Sequence, residues 1–525
     1  MRQPLGDTRY FLVGGGIAGL SAAAFLVRDA GVSGPSIRVL ESASTLGGSL
    51  DGAGDPDSGY LTRGGRMFEE HFVCTLNLFG SIPSFDDPGT SITEDILAFN
   101  RATPGSSRCR LVRGGKKAPD RDRLRLGWRE TGDLNLLLLT PERRLESRRI
   151  DHWFRPAFFE TNFWTMWSTM FAFQPWHSAA ELRRYLHRFI HLFPGFKRIE
   201  GVLRTRYNQY DSLVVPLRNW LVEKGVVLET DSTVTDVELE GEAERRHVRG
   251  LVLDGERVVE VGRDDRVLIT LGSMTDGSQI GSATASPDPE PGATPAWTLW
   301  RKLAAGRSEF GRPEVFCGDT QRSAWSSFTA TLDGPDFFDF MEEFTGNRTG
   351  TGGLVTFDDS GWRLSIVMFH QPHFPDQPGD RFVFWGYGLR GDRNGDFVRK
   401  PMWRATGQEI LQELAGQLRL GETERAWFEG AKVRPVWMPF ITSQFLPREA
   451  GDRPPVRPEG AGNFAFMGQF CEMPRDCVFT VEYSVRSAWT AVHKLSGRVP
   501  APPPVRRTDR DPMVLLRAAG VLLRG

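Results

Sequence analysis

The sequence contains few cysteines, almost no net charge and no long apolar run. Its five cysteines are odd in number and form no CxxC pair, so we expect neither disulfides nor a structural zinc, and we predict no metal site. The 65 basic and 66 acidic side chains give a formal charge of −1, which argues against a nucleic-acid partner. No window approaches the roughly 18 consecutive apolar residues of a transmembrane helix. The N-terminus also lacks the pattern of a signal peptide, so we expect a cytoplasmic protein.

The rest of the composition is that of a globular protein with a large core. Hydrophobic residues make up 40% and charged residues 25% of the 525 residues, and this length predicts three or four structural units. Phenylalanine and tryptophan are frequent whereas tyrosine is rare, and residues 152–173 form an aromatic cluster. Such a cluster is either densely packed core or the wall of an apolar pocket, and large aromatic side chains favour core.

A dinucleotide-binding pattern stands at the N-terminus. An apolar strand-like run at residues 10–13 is followed by Gly14, Gly16 and Gly19 in the order G-x-G-x-x-G, which opens an alanine-rich helical stretch. The first glycine permits the tight turn, the second lets a pyrophosphate approach the backbone, and the third lets the helix pack on the strand. A second strand, 37–40, ends at Glu41, about 20 residues further on, where a carboxylate is expected to bind ribose hydroxyls.

Later segments favour FAD over NAD as the dinucleotide. A second glycine pair that ends at Gly48 follows Glu41 and lets the backbone approach a long, extended cofactor. Strand-like runs at 264–271 and 464–467 lead into Gly272 and Gly468, and the second run is followed by a helical stretch at 480–495. Flavoproteins with this N-terminal pattern commonly return the chain to the flavin near the C-terminus. We therefore predict a discontinuous FAD-binding domain.

Several longer motifs resemble those of one family. The run Arg63-Gly64-Gly65-Arg66-Met67-Phe68-Glu69-Glu70-His71-Phe72-Val73-Cys74 is similar to the catalytic-loop motif of the oleate hydratases, the FAD-containing fatty acid hydratases formerly called myosin-cross-reactive antigens. Further matches are SIPS at 81–84, NFW at 162–164, TMFAF at 169–173, WHSA at 176–179, RRY at 183–185, YNQYDS at 207–212, GSMT at 272–275, HQPHF at 370–374 and WGYG at 385–388. The resemblance extends from about residue 10 to about residue 495.

The resemblance implies that water is added to an isolated cis double bond of a long-chain unsaturated fatty acid, with the cis-9 bond of oleic acid giving a 10-hydroxy fatty acid. The reaction needs a proton donor at one alkene carbon, a placed water at the other and a polar anchor for the carboxylate. Tyr185 matches the catalytic tyrosine of the family; the plainer interpretation is a helix-face tyrosine with its hydroxyl in solvent. Gln209 and His373 match residues that contact the substrate, and for His373 an ordinary structural histidine is the alternative.

Two positions depart from the family pattern. Much of the family has a glutamate after RGGR, assigned to water activation or proton handling, and here that position is Met67, as in a subgroup that also lacks the acid. Glu69 and Glu70 are candidates to take over by loop rearrangement, the alternative being that both are ordinary loop carboxylates. Residues 367–369 replace polar residues that usually hold the carboxylate, upstream of His373. The sequence does not identify the side chains that anchor the carboxylate instead.

The resemblance implies a structural rather than a redox role for FAD, because adding water changes no overall oxidation state. FAD then supports the loop that starts at Arg63, and Gly64 and Gly65 give this loop freedom to move against the flavin. Two other functions share the N-terminal pattern. One is an FAD-dependent oxidoreductase or monooxygenase, and the other is a non-catalytic lipid-binding flavoprotein that lost activity with the missing glutamate.

The alternation of elements predicts an α/β fold with a discontinuous Rossmann-like FAD-binding domain, an inserted substrate domain and a helical C-terminal part. The predicted division is 1–150 for the first part of the FAD-binding domain with the catalytic loop 63–74, 151–225 for a helical, aromatic-rich substrate segment, 226–285 for a return to the FAD-binding domain, 286–460 for the substrate-binding domain, 461–500 for the closing FAD-binding unit and 501–525 for a tail. We expect a monomer or a homodimer.

The C-terminal segment 511–525 predicts a short, basic, amphipathic helix. Pro512 is suited to a first helical turn, and apolar residues alternate with Arg517 and Arg524. Such a helix can lie at the inner membrane surface, with its apolar side in the acyl boundary and its arginines on anionic headgroups. The alternative, given equal weight, is a terminal helix packed on the body of the protein.

Overall fold

A computed structural model describes residues 8–65, 67–242 and 245–523. Arg66 of the catalytic-loop motif and Arg524 of the C-terminal segment therefore lie outside the described residues. The strands, in chain order, are β1 Tyr10–Val13, β2 Ile37–Leu40, β3 Gly52–Ala53, β4 Leu61–Thr62, β5 Leu111–Arg113, β6 Lys116–Lys117, β7 Val227–Glu229, β8 Val234–Glu240, β9 His247–Leu253, β10 Arg257–Glu260, β11 Arg266–Thr270, β12 Gln279–Ile280, β13 Trp325–Asp333, β14 Leu354–Phe357, β15 Leu364–Met368, β16 Arg381–Gly388, β17 Lys432–Met438 and β18 Phe464–Met467.

The α-helices are distributed along the whole chain, and several short 3₁₀ turns connect them. In chain order they are α1 Ile17–Arg28, α2 Val73–Phe79, α3 Ile92–Ala102, α4 Trp128–Leu139, α5 Asn162–Phe171, α6 Ala179–Phe189, α7 Val215–Glu223, α8 Pro295–Ala304, α9 Glu314–Cys317, α10 Thr320–Ser323, α11 Asp336–Thr345, α12 Gly407–Leu418, α13 Glu422–Arg425, α14 Val481–Ser496 and α15 Pro512–Leu523.

A five-stranded parallel sheet in the order β18-β11-β1-β2-β7 forms the first layer. Its central strand β1 is a continuous apolar run that is buried along its whole length, as expected for a strand covered on both faces. Helices α1 and α14 pack against each other, with the Phe25 and Trp489 rings 4.8 Å apart. Strands from four distant segments thus share one sheet, which confirms the predicted discontinuous Rossmann-like fold.

An eight-stranded, mainly antiparallel sheet in the order β12-β17-β13-β16-β15-β14-β5-β6 forms the second layer. Helices α11 and α12 contribute to the apolar core on one of its sides. Strands β5 and β6 come from the segment 1–150 and β12 from the segment 226–285, both of which are predicted parts of the FAD-binding domain. The predicted boundaries therefore do not coincide with the sheets, because pairing with sequence-distant strands decides sheet membership. A separate three-stranded sheet has the order β10-β9-β8.

The aromatic cluster at 152–173 is mainly core. Phe163, Trp164 and Trp167 of α5 are buried in the largest apolar cluster. Phe163 and Trp167 stack with ring centroids 5.7 Å apart. This confirms the interpretation as packed core for most of the segment.

The C-terminal helix α15 packs one side onto the protein. It contacts the 3₁₀ segment Ile190–Arg198, and Ala518 on this side is buried. Met513, Leu515 and Leu516 on other sides are exposed. One face of α15 is therefore packed on the protein, as the second interpretation predicts. Membrane contact through the exposed apolar residues stays a prediction. Within the described ranges, no helix has both the length and the apolar character that crossing a membrane requires.

Candidate active site

A cleft lined by glycines lies at the carboxyl ends of the parallel strands. We call it the glycine cleft; its lining includes Gly14, Gly16, Glu41, Gly48, Gly272 and Gly468. Gly14 has φ +102°, and a Cβ on Gly19 would lie 2.0 Å from the carbonyl oxygen of Gly14. Side chains at these two positions would therefore disrupt the turn from β1 into α1.

The second glycine pair lies directly against the first. The amide of Gly47 donates to the carbonyl of Gly15 at 3.0 Å, and a Cβ on Gly48 would lie 3.2 Å from the Cα of Gly16. Backbone atoms of residues without side chains therefore border the cleft beside the N-terminus of α1. Backbone amides at a helix N-terminus favour an anionic ligand such as a pyrophosphate, so the residues present fit a dinucleotide.

Glu41 is held in place at the end of β2. Its Oε2 accepts from the amide of Gly15 at 2.6 Å, and its Oε1 accepts from the amide of Ala43 at 2.8 Å. The carboxylate therefore borders the glycine cleft in a fixed orientation, at the position where an acid contacts ribose hydroxyls in Rossmann-like folds.

Asp276 is a cleft residue that the sequence analysis missed, one position beyond the GSMT motif. Its Oδ2 accepts from the amide of Ala296 at 3.0 Å, at the start of α8. Burial raises the pKa of Asp276 to about 7, and the nearby Glu41 charge acts in the same direction. The carboxyl therefore changes charge near neutral pH inside the cleft.

A second cavity, which we call the main pocket, lies between the catalytic loop and the eight-stranded sheet. Gly64, Gly65, Met67, Gln209 and His373 all line it, so the structure brings these predicted residues together. Most other lining residues are apolar and come from several elements, including Met170, Val202, Trp325, Val367, Phe369, Trp385 and Phe479. A largely apolar pocket with a few polar groups is the usual form of a site for a small-molecule ligand.

A smaller side pocket adjoins the main pocket. Gly65, Met67, Met170, Val202 and Phe479 line both cavities. The walls of the side pocket also include Tyr185 and Glu69. The two cavities therefore meet at the position of the missing glutamate.

Tyr185 is buried, and its hydroxyl has a defined partner. The side chain is 1% exposed, and Oη donates to the carbonyl of Val478 at 2.6 Å. Its ring packs edge-on against Phe171 and Phe173. Ser178 caps the start of α6 and so fixes the helix that carries Tyr185. The interpretation as a solvent-exposed tyrosine is wrong, because α6 turns this face into the core.

Glu69 is a buried, ionised carboxylate. Arg188 lies 2.7 Å from its Oε1, and nitrogens of His71 and His191 lie 3.2 and 3.3 Å from its Oε2. Burial alone would raise the pKa of Glu69, but hydrogen bonds from the two histidines and the Arg188 charge outweigh it and hold this pKa well below its usual range. Glu69 thus ties the catalytic loop to α6. Glu70 is exposed and lines neither pocket.

The polar end of the main pocket contains His373 and Gln209. Burial lowers the pKa of His373 to about 3, so the imidazole is neutral, and it stacks on Phe369 with ring centroids 3.7 Å apart. Its Nδ1 is buried without a hydrogen-bond partner among the described residues. An orphaned nitrogen of this kind is a candidate contact for a polar ligand group.

Arg204, also missed by the sequence analysis, lines the same end. Its Nε and Nη2 donate to the carbonyls of Gly350 and Thr103 at 3.1 and 2.6 Å. Burial lowers the pKa of Arg204 to about 10, and no carboxylate among the described residues forms an ion pair with it. It lies just before the YNQYDS motif, and its charge next to a matched motif was the signal that could have identified it.

Residues 7–493 match the model of a protein family described as the MCRA family. The chain belongs to the MCRA family. This confirms the family resemblance found in the motifs, whereas membership of the subgroup without the glutamate stays a prediction.

Two curated relatives of this MCRA-family chain are hydratases. An oleate hydratase of Streptococcus pyogenes serotype M49 (strain NZ131) is 39% identical over 497 residues, which cover 92% of this chain and 84% of that protein. A linoleate hydratase of Lactiplantibacillus plantarum is 32% identical over 559 residues, which cover 97% of this chain and 98% of that protein.

Solved structures are similar to the MCRA-family chain in fold. Cyclohexylamine oxidase from Brevibacterium oxydans IH-35A has a TM-score of 0.55 at 15% identity, with 94% of this chain and 99% of that chain covered. At this identity the likeness concerns the fold alone, and it agrees with the predicted α/β, Rossmann-like fold of the FAD-binding type.

The remaining predicted residues of the MCRA-family chain lie around the two sites. Gly19 lies within α1 beneath the glycine cleft. Arg63 forms an ion pair with Asp51 at 2.7 Å and donates to the carbonyl of Thr275 at 3.2 Å. It thereby joins the start of the catalytic loop to the strand–glycine segment at 272–275. Gly64 and Gly65, predicted as cofactor-binding, line the main pocket instead of the glycine cleft.

Proposed function

We propose that this chain is a fatty acid hydratase that adds water to the cis-9 double bond of oleic acid, and of similar long-chain unsaturated fatty acids, to give a 10-hydroxy fatty acid. One observation carries the proposal: an apolar pocket with one polar end adjoins the buried hydroxyl of Tyr185 at the catalytic loop. The names of the two curated relatives support the same reaction class.

The glycine cleft is the proposed FAD site. Gly14, Gly16, Gly48, Gly272 and Gly468 would border the cofactor, with Glu41 at the ribose. Bound FAD would supply a flat ring system beside the catalytic loop, with no net redox change. Arg63 would hold the start of this loop through Asp51.

Tyr185 is the proposed proton donor, or the group that orients the water. In the donor role, the phenol gives its proton to one alkene carbon while water adds to the other, and the proton that water loses restores the phenol. The Val478 carbonyl holds the hydroxyl of Tyr185, whose side chain lines the side pocket. General acids of this kind need such placement within hydrogen-bond reach of the reacting atoms.

Because Met67 replaces the glutamate, other groups must activate the water. Met67 has no proton to exchange, and Glu69 is held by Arg188 and two histidines. Its low pKa makes Glu69 a weak base and no proton donor at neutral pH. Tyr185 and backbone carbonyls at the junction of the two pockets are therefore the proposed partners of the water.

Arg204 is the proposed anchor of the substrate carboxylate, with Gln209 and His373 beside it. Arg204 is half-buried; removing a guanidinium from water without a carboxylate partner is costly, and an anionic ligand reduces that cost. This assignment explains how the pocket can hold a fatty acid although Val367 and Phe369 replace the polar residues expected upstream of His373.

The decisive test incubates the FAD-loaded protein with oleic acid and analyses the product by mass spectrometry. We expect a product heavier by one water, formed without NAD(P)H and without oxygen consumption. Turnover that depends on either co-reactant would instead identify an oxidoreductase or monooxygenase. Tight binding of oleic acid without any product would identify a non-catalytic lipid-binding flavoprotein.

Peripheral contact with a membrane through α15 completes the proposal. Met513, Leu515 and Leu516 present exposed apolar surface while Ala518 holds the helix to the protein, an arrangement suited to a membrane interface. Replacing the three exposed residues by glutamine should reduce sedimentation with anionic liposomes and leave turnover of dispersed substrate unchanged. Unchanged sedimentation would contradict the contact. Monomer or homodimer, and a cytoplasmic location, stay predictions.

A further inference from the structure

A cleft lined by six arginines lies between α6 and the C-terminal tail. We call it the arginine cleft, and its volume is about 260 Å³. Its arginines come from three separate segments: Arg183, Arg184 and Arg188 from α6, Arg475 from the loop between β18 and α14, and Arg506 and Arg507 from the tail. The cleft shares no lining residue with the glycine cleft, the main pocket or the side pocket.

Half of these arginines already have carboxylate partners. The ion pairs are Arg184 with Glu142 and Glu472 at 2.6 and 2.7 Å, Arg188 with Glu69 and Asp476 at 2.7 and 3.7 Å, and Arg507 with Asp509 at 2.7 Å. Arg183, Arg475 and Arg506 form no ion pair with any carboxylate among the described residues. The cleft therefore contains three arginines without a direct carboxylate partner in the described part of the chain, although Glu142 and Asp509 also line it.

Arg475 and Arg506 are exposed, but the burial of Arg183 and Arg184 in the same cleft points to an absent anion. Arg183 is half-buried, and its hydrogen-bond partner among the described residues is the Leu138 carbonyl at 3.2 Å. Burial lowers the pKa of Arg183; the charges of Glu142 and Asp509 oppose this shift, and those of Arg507 and Arg184 add to it. Nη1 of Arg184 is buried without a hydrogen-bond partner among the described residues. Donors of this kind are normally satisfied in a folded protein.

We propose that the arginine cleft binds a phosphate group, carried either by a free phosphate ester or by a phospholipid headgroup. Guanidinium groups match phosphate oxygens in planar, paired hydrogen bonds. A phosphate offers several oxygens to arginines that approach from three segments, which a single carboxylate does not. A cavity of about 260 Å³ holds several waters or one such group.

The position of the cleft makes both sources reasonable. The tail that carries Arg506 and Arg507 leads directly into α15, whose exposed apolar residues suit a lipid surface. On its inner side, Arg188 reaches Glu69 of the catalytic loop. The proposal does not depend on the hydratase activity, because binding is measured without substrate.

The test uses the FAD-loaded protein, so that the proposed cofactor site is already occupied. Inorganic phosphate is titrated calorimetrically against a chloride control of equal ionic strength. The Arg183→Gln/Arg506→Gln variant should bind phosphate roughly tenfold more weakly or worse, as expected when two charge-assisted contacts are lost. The matched control is Arg143→Gln/Arg144→Gln, which removes the same charge from exposed neighbours outside the cleft and should leave the affinity within about twofold.

Vesicles of phosphatidylglycerol distinguish the two sources. If the cleft variant loses vesicle binding about tenfold while the control variant does not, the source is a lipid headgroup. If both variants keep vesicle binding and only the cleft variant loses inorganic phosphate, the source is a free phosphate ester. Absence of saturable phosphate binding by the unmodified protein, or equal weakening in both variants, would overturn the proposal. Should the double variant fold poorly, as judged by FAD content, the exposed Arg475→Gln serves in its place.

Discussion

Replacement of Arg204 by methionine tests the proposed carboxylate anchor. Methionine keeps much of the length and apolar character of the side chain and removes the guanidinium. The change also removes the hydrogen bonds to the Thr103 and Gly350 carbonyls, so some loss of stability is expected. Arg206 offers a matched control, because this neighbouring guanidinium lies 3.6 Å from Asp95 and 3.9 Å from Asp86 instead of standing unpaired.

The expected magnitude follows from the lack of an ion pair between Arg204 and any carboxylate of the described residues. A hydrogen bond to a charged group contributes about 1.5–3 kcal/mol, and each 1.4 kcal/mol corresponds to a factor of ten. Loss of the anchor should therefore lower kcat/KM for oleic acid by roughly 10- to 150-fold. The effect should fall mainly on KM, because the anchor binds ground state and transition state alike.

The assay compares oleic acid with oleyl alcohol, which has the same chain and double bond but no carboxylate. For the Arg204→Met variant, kcat/KM should fall for the acid and change by less than about threefold for the alcohol. The Arg206→Met control should change kcat/KM neither for oleic acid nor for oleyl alcohol. An equal fall for acid and alcohol would refute the anchor and leave Arg204 with a purely structural role.

Four further predictions concern the cofactor cleft and the catalytic loop. Gly16→Val should abolish FAD binding in a fluorescence titration without unfolding the chain, because Gly16 has φ −71° and a Cβ there would meet only the Gly48 Cα at 3.8 Å; unchanged FAD affinity would contradict the assigned site. Tyr185→Phe should keep FAD content and lower turnover by roughly 10²–10⁴-fold, and full activity would make the tyrosine structural. Glu69→Gln should lower the thermal midpoint and the activity, because the buried Arg188 loses its nearer carboxylate and keeps Asp476, which lies 3.7 Å away, at a cost of about 1–3 kcal/mol, whereas the exposed Glu70→Gln should change neither. FAD should bind more tightly as pH falls from 8 to 6, because Asp276, with its pKa raised to about 7, loses its negative charge beside an anionic ligand. The Asp276→Asn variant should show a weaker pH dependence of FAD affinity, and a wild-type affinity independent of pH would contradict the prediction.

Local pattern determined much of the fold and part of the site. The strand–glycine–helix unit at β1 and α1 follows from short-range chemistry: an apolar run, glycines where a turn needs them, and a helix former directly after. The runs that lead to Gly272 and Gly468 carry the same local signal, so the discontinuous sheet could be predicted. Motifs placed Met67, Gln209 and His373 at one pocket, and the structure brings their side chains together.

Only the tertiary structure decided which charges are paired and which are not. The sequence places Glu69 two residues after Met67, but its ionised state depends on Arg188 and His191, more than a hundred positions away. Asp276 and Arg204 have unusual pKa values because distant segments bury them. No local pattern encodes burial by remote segments, since it arises when the chain packs. The same reason applies to the arginine cleft, where the tail packs near α6 and brings Arg506 into the same cleft as Arg183. Sequence thus determined the elements and the chemical groups, while packing determined their charge, their partners and their access to a ligand.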